Sequence, residues 1–180
     1  IENLTLVLAD GACLKLHPIP VHVPEDLSAR APVMGKNNGQ LHGKTVVITG
    51  ASSGIGRAAA HAFAELSTRL VLAARDEKAL AEVVEECAVR GAQAIAVNTD
   101  VTHGDQMRAL AQKAEAFGNG RIDIWINNAG VGAVGSFENT PLEAHEQVLQ
   151  TDLLGYLRGA HVAWPYFKAQ KSGILINTLS

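Results

Sequence analysis

Three glycines, Gly50, Gly54 and Gly56, stand at G-x-x-x-G-x-G spacing inside the stretch KTVVITGASSGIG, Lys44 to Gly56. The apolar run Val46-Val47-Ile48 precedes them and an alanine-rich stretch follows, so the sequence predicts a buried strand, a tight turn and the start of a helix. Such a junction suits a phosphate. The first-turn N–H groups of a helix have no intrahelical partners, and the helix dipole adds partial positive charge there. Glycine lets the backbone turn sharply and lets a ligand come close. The bland alternative is an ordinary strand-to-helix turn. The clear strand before and helix after favour phosphate binding, with Ser52, Ser53 and Ile55 carried in the same turn. The spacing is not the G-x-G-x-x-G dinucleotide fingerprint.

The elements that must position this turn repeat along the chain. Strands are expected at 45–49, 70–74, 94–97, 122–126 and 174–177. Helices are expected between them, over about 54–66, from an Asp76 cap to Gly91, from a Thr102/Asp105 capping box to Phe117, and from Thr140-Pro141 to about Lys168, bent at Trp164-Pro165. Each strand is short and apolar on both faces, as in a parallel sheet covered by helices on both sides. Right-handed crossovers then give a doubly wound, three-layer α/β/α sheet, and ligands of such sheets sit beyond the carboxyl ends of the strands. The polar candidates fall at those ends: Gly50–Gly56 after the first, Arg75 after the second, Asp100 after the third, Asn127–Gly130 after the fourth and Ser180 after the fifth.

Residues 1–40 do not share this pattern. Leu4–Ala9 fits a short strand, 17–24 is punctuated by prolines and 34–39 reads as linker, so 1–40 is expected to be a poorly ordered or loosely packed extension to a domain over 41–180. Asn3-Leu4-Thr5 matches a glycosylation acceptor by chance, and His17 and His22 read as solvated loop histidines. No metal site is expected, because His145-Glu146 lacks a histidine at i+4, where Leu149 stands.

A net charge of −3, with no basic stripe or aromatic ladder, gives no reason to expect nucleic acid. No apolar run approaches the roughly 18 residues of a membrane span. The two cysteines, Cys13 and Cys87, have neither disulfide-framework nor zinc spacing, and a reducing, cytoplasmic compartment is the expectation.

From Leu41 to Ser180 the residues resemble the short-chain dehydrogenase/reductase superfamily. Thr49-Gly50-Ala51-Ser52-Ser53-Gly54-Ile55-Gly56 fits its TGxxxGIG cofactor turn, Asn127-Asn128-Ala129-Gly130 its NNAG signature, and Asp100-Val101 the acidic residue that meets the adenine. The resemblance implies a Rossmann-type fold with strand order 3-2-1-4-5, a nicotinamide dinucleotide held by Gly50, Ser52, Ser53, Gly54, Ile55, Gly56, Arg75, Asp100, Val101, Asn127, Ala129 and Gly130, and hydride transfer to or from a small-molecule carbonyl or secondary alcohol. It puts Ser180 at the catalytic serine. Asp152 falls where the family usually carries the asparagine that holds a relay water. An ionised aspartate there accepts from water or an N–H but does not donate. A homo-oligomer through the 141–168 helix, with Tyr156, Trp164, Tyr166 and Phe167, is expected of the intact protein.

Charge decides between cofactors. An acid at the end of the second strand would bind a ribose 2′-hydroxyl and repel a 2′-phosphate. This chain has Ala73-Ala74 and then Arg75, whose planar fork suits a phosphate, so NADP(H) is expected, with Arg57 helping and Asp76 serving as a helix cap.

The family's tyrosine and lysine would fall after Ser180, and neither Tyr156 nor Tyr166 has lysine at i+4. The chain also starts at Ile1 and stops on an apolar strand, whose open edge would invite pairing. The expectation is a C-terminally incomplete oxidoreductase, inactive by itself. The alternative is an NADP-binding or scaffold protein without turnover.

Overall fold

The structure, a computed structural model, describes residues 4–8, 13–16 and 41–178. The readings made for Asn3, His17, His22, the 17–24 and 34–39 stretches and Ser180 lie outside the described residues. In chain order the elements are β1 (Leu4–Leu8), β2 (Cys13–Leu16), β3 (Thr45–Thr49), α1 (Gly54–Ala64), β4 (Arg69–Ala74), α2 (Glu77–Val89) and β5 (Gln93–Asn98). They continue with α3 (Gly104–Phe117), β6 (Ile124–Asn127), a 3-10 turn (Phe137–Asn139), α4 (Leu142–Val148), a π-helical turn (Leu149–Leu154), α5 (Gly155–Gln170) and β7 (Ile174–Thr178).

The sheet runs β2-β1-β7-β6-β3-β4-β5. Its five strands from β3 onward are parallel and take the order 3-2-1-4-5 predicted for them. Alternate side chains of these strands feed two cores. Val46, Ile48, Leu70, Leu72, Ile124 and Ile126 pack with Ala60, Ala64, Leu80 and Val83 of α1 and α2. Val47, Val71, Ala73 and Trp125 pack on the other face with Met107, Leu110, Ala163 and Phe167 of α3 and α5. A strand buried on both faces has no polar alternation to show, which is why these strands read as unbroken apolar runs.

The far edge of β7, expected to stand open, is paired. β1 runs antiparallel to it, with Leu4 opposite Thr178 and Leu8 opposite Ile174, and β2 pairs outside β1. The ladder groups of β7 thereby find partners that an edge strand lacks.

The helix starts differ from expectation in two places. Asp76 caps α2, accepting from the Ala79 N–H at 3.0 Å. At α3, however, Thr102 is drawn back onto Asp100, whose Oδ1 accepts from its N–H at 2.9 Å and its hydroxyl at 2.7 Å, leaving His103 at the cap position with no side-chain cap bond. Thr140 donates to the Ser136 carbonyl at 2.9 Å instead of capping α4. In both cases an acceptor nearby in sequence competes successfully for the hydroxyl. The single helix expected over 141–168 is divided by the π-helical turn and extends through Pro165 to Gln170. Among the described residues no helix is long and apolar enough to cross a membrane.

Candidate functional site

The carboxyl ends of β3, β4, β5 and β6 open into one cleft of about 460 Å³. The turn from β3 to α1 forms its floor. Gly50 and Gly54 take φ of +65° and +52°, in the left-handed region that disfavours a side chain. Among the described residues, a Cβ on Gly54 would meet no atom within 4 Å beyond its chain neighbours and its own helix backbone, so the space there is open to a ligand. A Cβ on Gly56 would run into the Gly50 carbonyl, so this glycine lies behind the turn and lets it close.

Ser53 occupies the N-cap of α1 without a side-chain cap bond. The first-turn N–H groups of α1 therefore lack both an intrahelical partner and a capping side chain. They meet the cleft at Gly54 and Ile55, and Ile55 is 56% exposed although apolar. Free donors at a helix N-terminus, an empty glycine position and an uncovered apolar side chain fit an anionic group joined to a flat apolar one.

Thr49 joins this turn to the loop after β6. Its hydroxyl accepts from the Asn128 N–H at 2.9 Å and the Ala129 N–H at 3.1 Å and donates to the Ile126 carbonyl at 3.3 Å. The Asn128 amide donates to the carbonyls of Thr49 (3.1 Å) and Gly50 (3.3 Å).

Among the described residues that line the cleft, Arg75, exposed, is the one cation, and the acids are Asp76 and Asp100. Both acids have internal work. Asp76 caps α2, and Asp100 holds Thr102 while its own N–H donates to Gln106 Oε1 at 2.7 Å. Burial pushes the Asp100 carboxyl up, but the two Thr102 hydrogen bonds and the charges of His103 and Arg75 outweigh it and hold the group below the ordinary aspartate value. Arg57, expected to help Arg75, is turned to Glu86, which it grips with two nitrogens and which also meets His61 Nε2 at 2.7 Å. The hydrogen bonds with Arg57 and His61 lower the Glu86 pKa, and the bond that Arg57 donates to Glu86 raises the pKa of Arg57. A side chain held so has left the cleft.

Of the candidate residues, Gly50, Ser52, Ser53, Gly54, Ile55, Arg75, Asp100, Val101, Ala129 and Gly130 line the cleft, and Gly56, Asn127 and Asp152 do not. Asn127 is 1% exposed, and its polar atoms are taken up inside the fold. Oδ1 accepts from Trp125 Nε1 at 2.8 Å, and Nδ2 donates to the Tyr156 carbonyl at 3.1 Å and to Asn177 Oδ1 at 2.9 Å. Asp152 lies behind the loop, where its Oδ1 accepts from the Val131 N–H at 2.9 Å. Thr99, Asn128, Val131 and Thr151, with Ala74 and Asp76, complete the lining. Asn128 was legible in principle, because side chains alternate along β6 and only one of two adjacent asparagines can point into the core. Thr151 enters through the π-helical turn, for which the sequence carries no simple signal.

Tyr156 is not placed to give a proton. Its hydroxyl donates to the Thr178 carbonyl at 2.6 Å, and burial together with the charge of Asp152 pushes its pKa up to about 12.

Comparison with known proteins agrees with this geometry. The short chain dehydrogenase family model matches residues 44–180. A ketoacyl reductase of Nostoc sp. is 35% identical over 140 residues, which cover 78% of this chain and 48% of that protein. An oxidoreductase of Listeria monocytogenes is 38% identical over 146 residues, 78% of this chain and 56% of that one. Among solved structures, a short chain dehydrogenase/reductase from Burkholderia phymatum in complex with NAD is 41% identical with a TM-score of 0.69, covering 72% of this chain and 46% of that one. An alcohol dehydrogenase from Thermococcus sibiricus complexed with 5-hydroxy-NADP is 29% identical with a TM-score of 0.66, covering 70% and 54%. The chain spans about half the length of the curated relatives it matches. With the family model matching residues 44–180 of this chain and the glycine turn, the NNAG loop and the parallel sheet in their places, the chain belongs to the short-chain dehydrogenase/reductase superfamily.

Proposed function

We propose that this chain is the nucleotide-binding part of an oxidoreductase that moves a hydride between NADP(H) and a carbonyl or secondary alcohol. The observation that carries the reading is Arg75: among the described residues it is the one cation lining the cleft, directly after β4, with no acid of β4 beside it. Gly50, Ser52, Ser53, Gly54 and Ile55 would hold the pyrophosphate on the first turn of α1, Arg75 a 2′-phosphate, and Asp100 and Val101 the adenine side. When bound, the nicotinamide supplies the hydride donor or acceptor.

The chain's own residues shape the rest. Asp152 holds the Val131 N–H and so fixes the loop that closes the cleft above β6, a supporting role that an acceptor fills without a proton to give. Tyr156, with a pKa near 12 and its hydrogen bonded to Thr178, is a poor proton donor at neutral pH, so the role of the family's tyrosine is not assigned to it. Ser180 keeps the substrate-orienting role that the resemblance gives it.

NAD is the second reading, favoured by Asp76 in the cleft lining and by the relative solved with NAD. Against it, the Asp76 carboxylate already accepts from Ala79 and is spent on the cap. Titration with NADPH and NADH separates the two: Arg75→Asp should lower NADPH affinity at least about tenfold and spare NADH, as expected when an ionic phosphate contact is replaced by repulsion. Unchanged relative affinities would remove Arg75 from the site.

The same reading includes a homo-oligomer through α4 and α5. Tyr156 and Phe167, expected to form the interface, are core residues. The exposed apolar stripe is instead Leu142, Leu149, Leu153, Leu157 and Trp164. A cytoplasmic location is part of the proposal and is supported by the free thiol of Cys87.

A further inference from the structure

We infer that Asn98 is a positioning residue for phosphate selectivity: its side-chain amide fixes the carbonyl of Arg75 and thereby aims the arginine at the cleft. The inference rests on the NADP(H) reading of Arg75.

The backbone around Arg75 is held at three successive residues. The β4–β5 ladder ends with Ala74 opposite Asn98, and the Ala74 carbonyl accepts from the Thr99 N–H at 2.9 Å. One residue on, no backbone donor of β5 is paired with the Arg75 carbonyl; Asn98 Nδ2 donates to it instead, at 3.0 Å. Asp76 is then fixed by its cap bond to Ala79. The side-chain amide of Asn98 thus prolongs the ladder by one rung, at the point where the chain must leave the sheet and enter α2.

At the tip the situation is reversed. Among the described residues the Arg75 guanidinium makes no hydrogen bond or ion pair, although it borders the cleft with Asp76 and Asp100 nearby. A side chain fixed at its root and free at its head is arranged to meet something from outside the protein. Loss of the Asn98 amide would leave the Arg75 carbonyl to solvent and let the elbow between Ala74 and Asp76 move, so the guanidinium would spend less time over the cleft. Asn98 is itself exposed, and its substitution disturbs no core contact.

The test uses two fragments of the cofactor, adenosine 2′,5′-bisphosphate and adenosine 5′-monophosphate, titrated by calorimetry against the full-length protein. Asn98→Leu should weaken the bisphosphate about fivefold while the monophosphate stays within about twofold, the size expected for one neutral hydrogen bond. In an Arg75→Ala background the same change should have no further effect on the bisphosphate, because the two residues act through one contact. Equal weakening of both nucleotides, or an unchanged ratio, overturns the inference. Arg75→Ala alone keeps the two levels apart. If it lowers the bisphosphate preference and Asn98→Leu does not, only the role of Asn98 falls. If it leaves the preference unchanged, the NADP(H) reading falls and takes this inference with it.

Discussion

Asn128 is tied to Thr49 twice, through its backbone N–H to the Thr49 hydroxyl at 2.9 Å and through its side-chain amide to the Thr49 carbonyl at 3.1 Å. The two ends of the cleft floor, the glycine turn after β3 and the loop after β6, are thereby tied together, with the Ala129 N–H on the same hydroxyl and the Asn128 amide also on the Gly50 carbonyl. Thr49 is 1% exposed, so no water replaces a lost partner.

Thr49→Val keeps the shape of the side chain and removes the acceptor of two N–H groups and the donor to Ile126. Unfolding in urea should show a loss of about 2–4 kcal/mol, the cost of stranding buried polar groups. A loss below about 0.5 kcal/mol, in the range of an ordinary surface change, would show that the loop does not depend on this residue.

Gly54 and Gly56 should fail in different ways when changed to alanine. At Gly54 the Cβ meets no protein atom, so the cost is the positive φ alone, about 1–2 kcal/mol, and cofactor binding falls more than stability does. At Gly56 the Cβ collides with the Gly50 carbonyl, so the turn must open and stability should fall further than at Gly54. Thermal unfolding and cofactor titration of both variants check the order. Equal stability in the two would contradict the packing described for Gly56.

Alkaline pH should reveal Tyr156. Its folded pKa, about 12, exceeds the ordinary tyrosine value of about 10, because burial and the Asp152 charge disfavour the phenolate. A raised folded pKa means that its contribution to stability is complete below about pH 10 and is lost as pH rises toward 12. Absorbance of the ionised phenol should show a step near pH 12 that Tyr156→Phe removes, and the variant should lose less stability across that interval than the parent. A phenol step near pH 10 in its place would mean that the hydroxyl is open to water.

The stripe on α4 and α5 makes a prediction about assembly. Leu153→Glu with Leu157→Glu places two charges on exposed positions without touching the core. Light scattering should show the full-length protein shift toward monomer by at least one halving of mass, with the melting temperature of the monomer little changed. Retention of the parental mass would exclude this face as the interface.

The parallel sheet was legible because β3, β4 and β6 are buried on both faces and interrupted by clear helical repeats; crossover handedness made it doubly wound, and the order of its five strands came with the family resemblance. The glycine turn was legible because backbone geometry there admits few other residues. What escaped was set by competition among neighbours. Thr102 reads equally well as a cap, and only the place of Asp100 shows which acceptor wins. Arg57 reads as a second cation for the cofactor until Glu86, a helix away, takes it. Asn127 and Asn128 are indistinguishable as letters, yet one lies in the core and the other on the cleft. Nothing in 149–154 announces the π-helical turn, which sets Asp152 beneath the Val131 N–H.

That turn makes chain length, more than residue identity, the sensitive variable here. A π-helical turn holds one residue more than an α-helical turn. Removing any single residue between Leu149 and Leu154 would let the helix run regularly, at the cost of rotating everything on one side by about 100° relative to the other. Either Asp152 would leave the Val131 N–H, or the exposed leucines after the turn would be rotated relative to those before it. Divergence among descendants of this chain should therefore accumulate as exchanges within the segment and not as deletions, since one lost codon would disconnect the cleft wall from the outer face of the same helix.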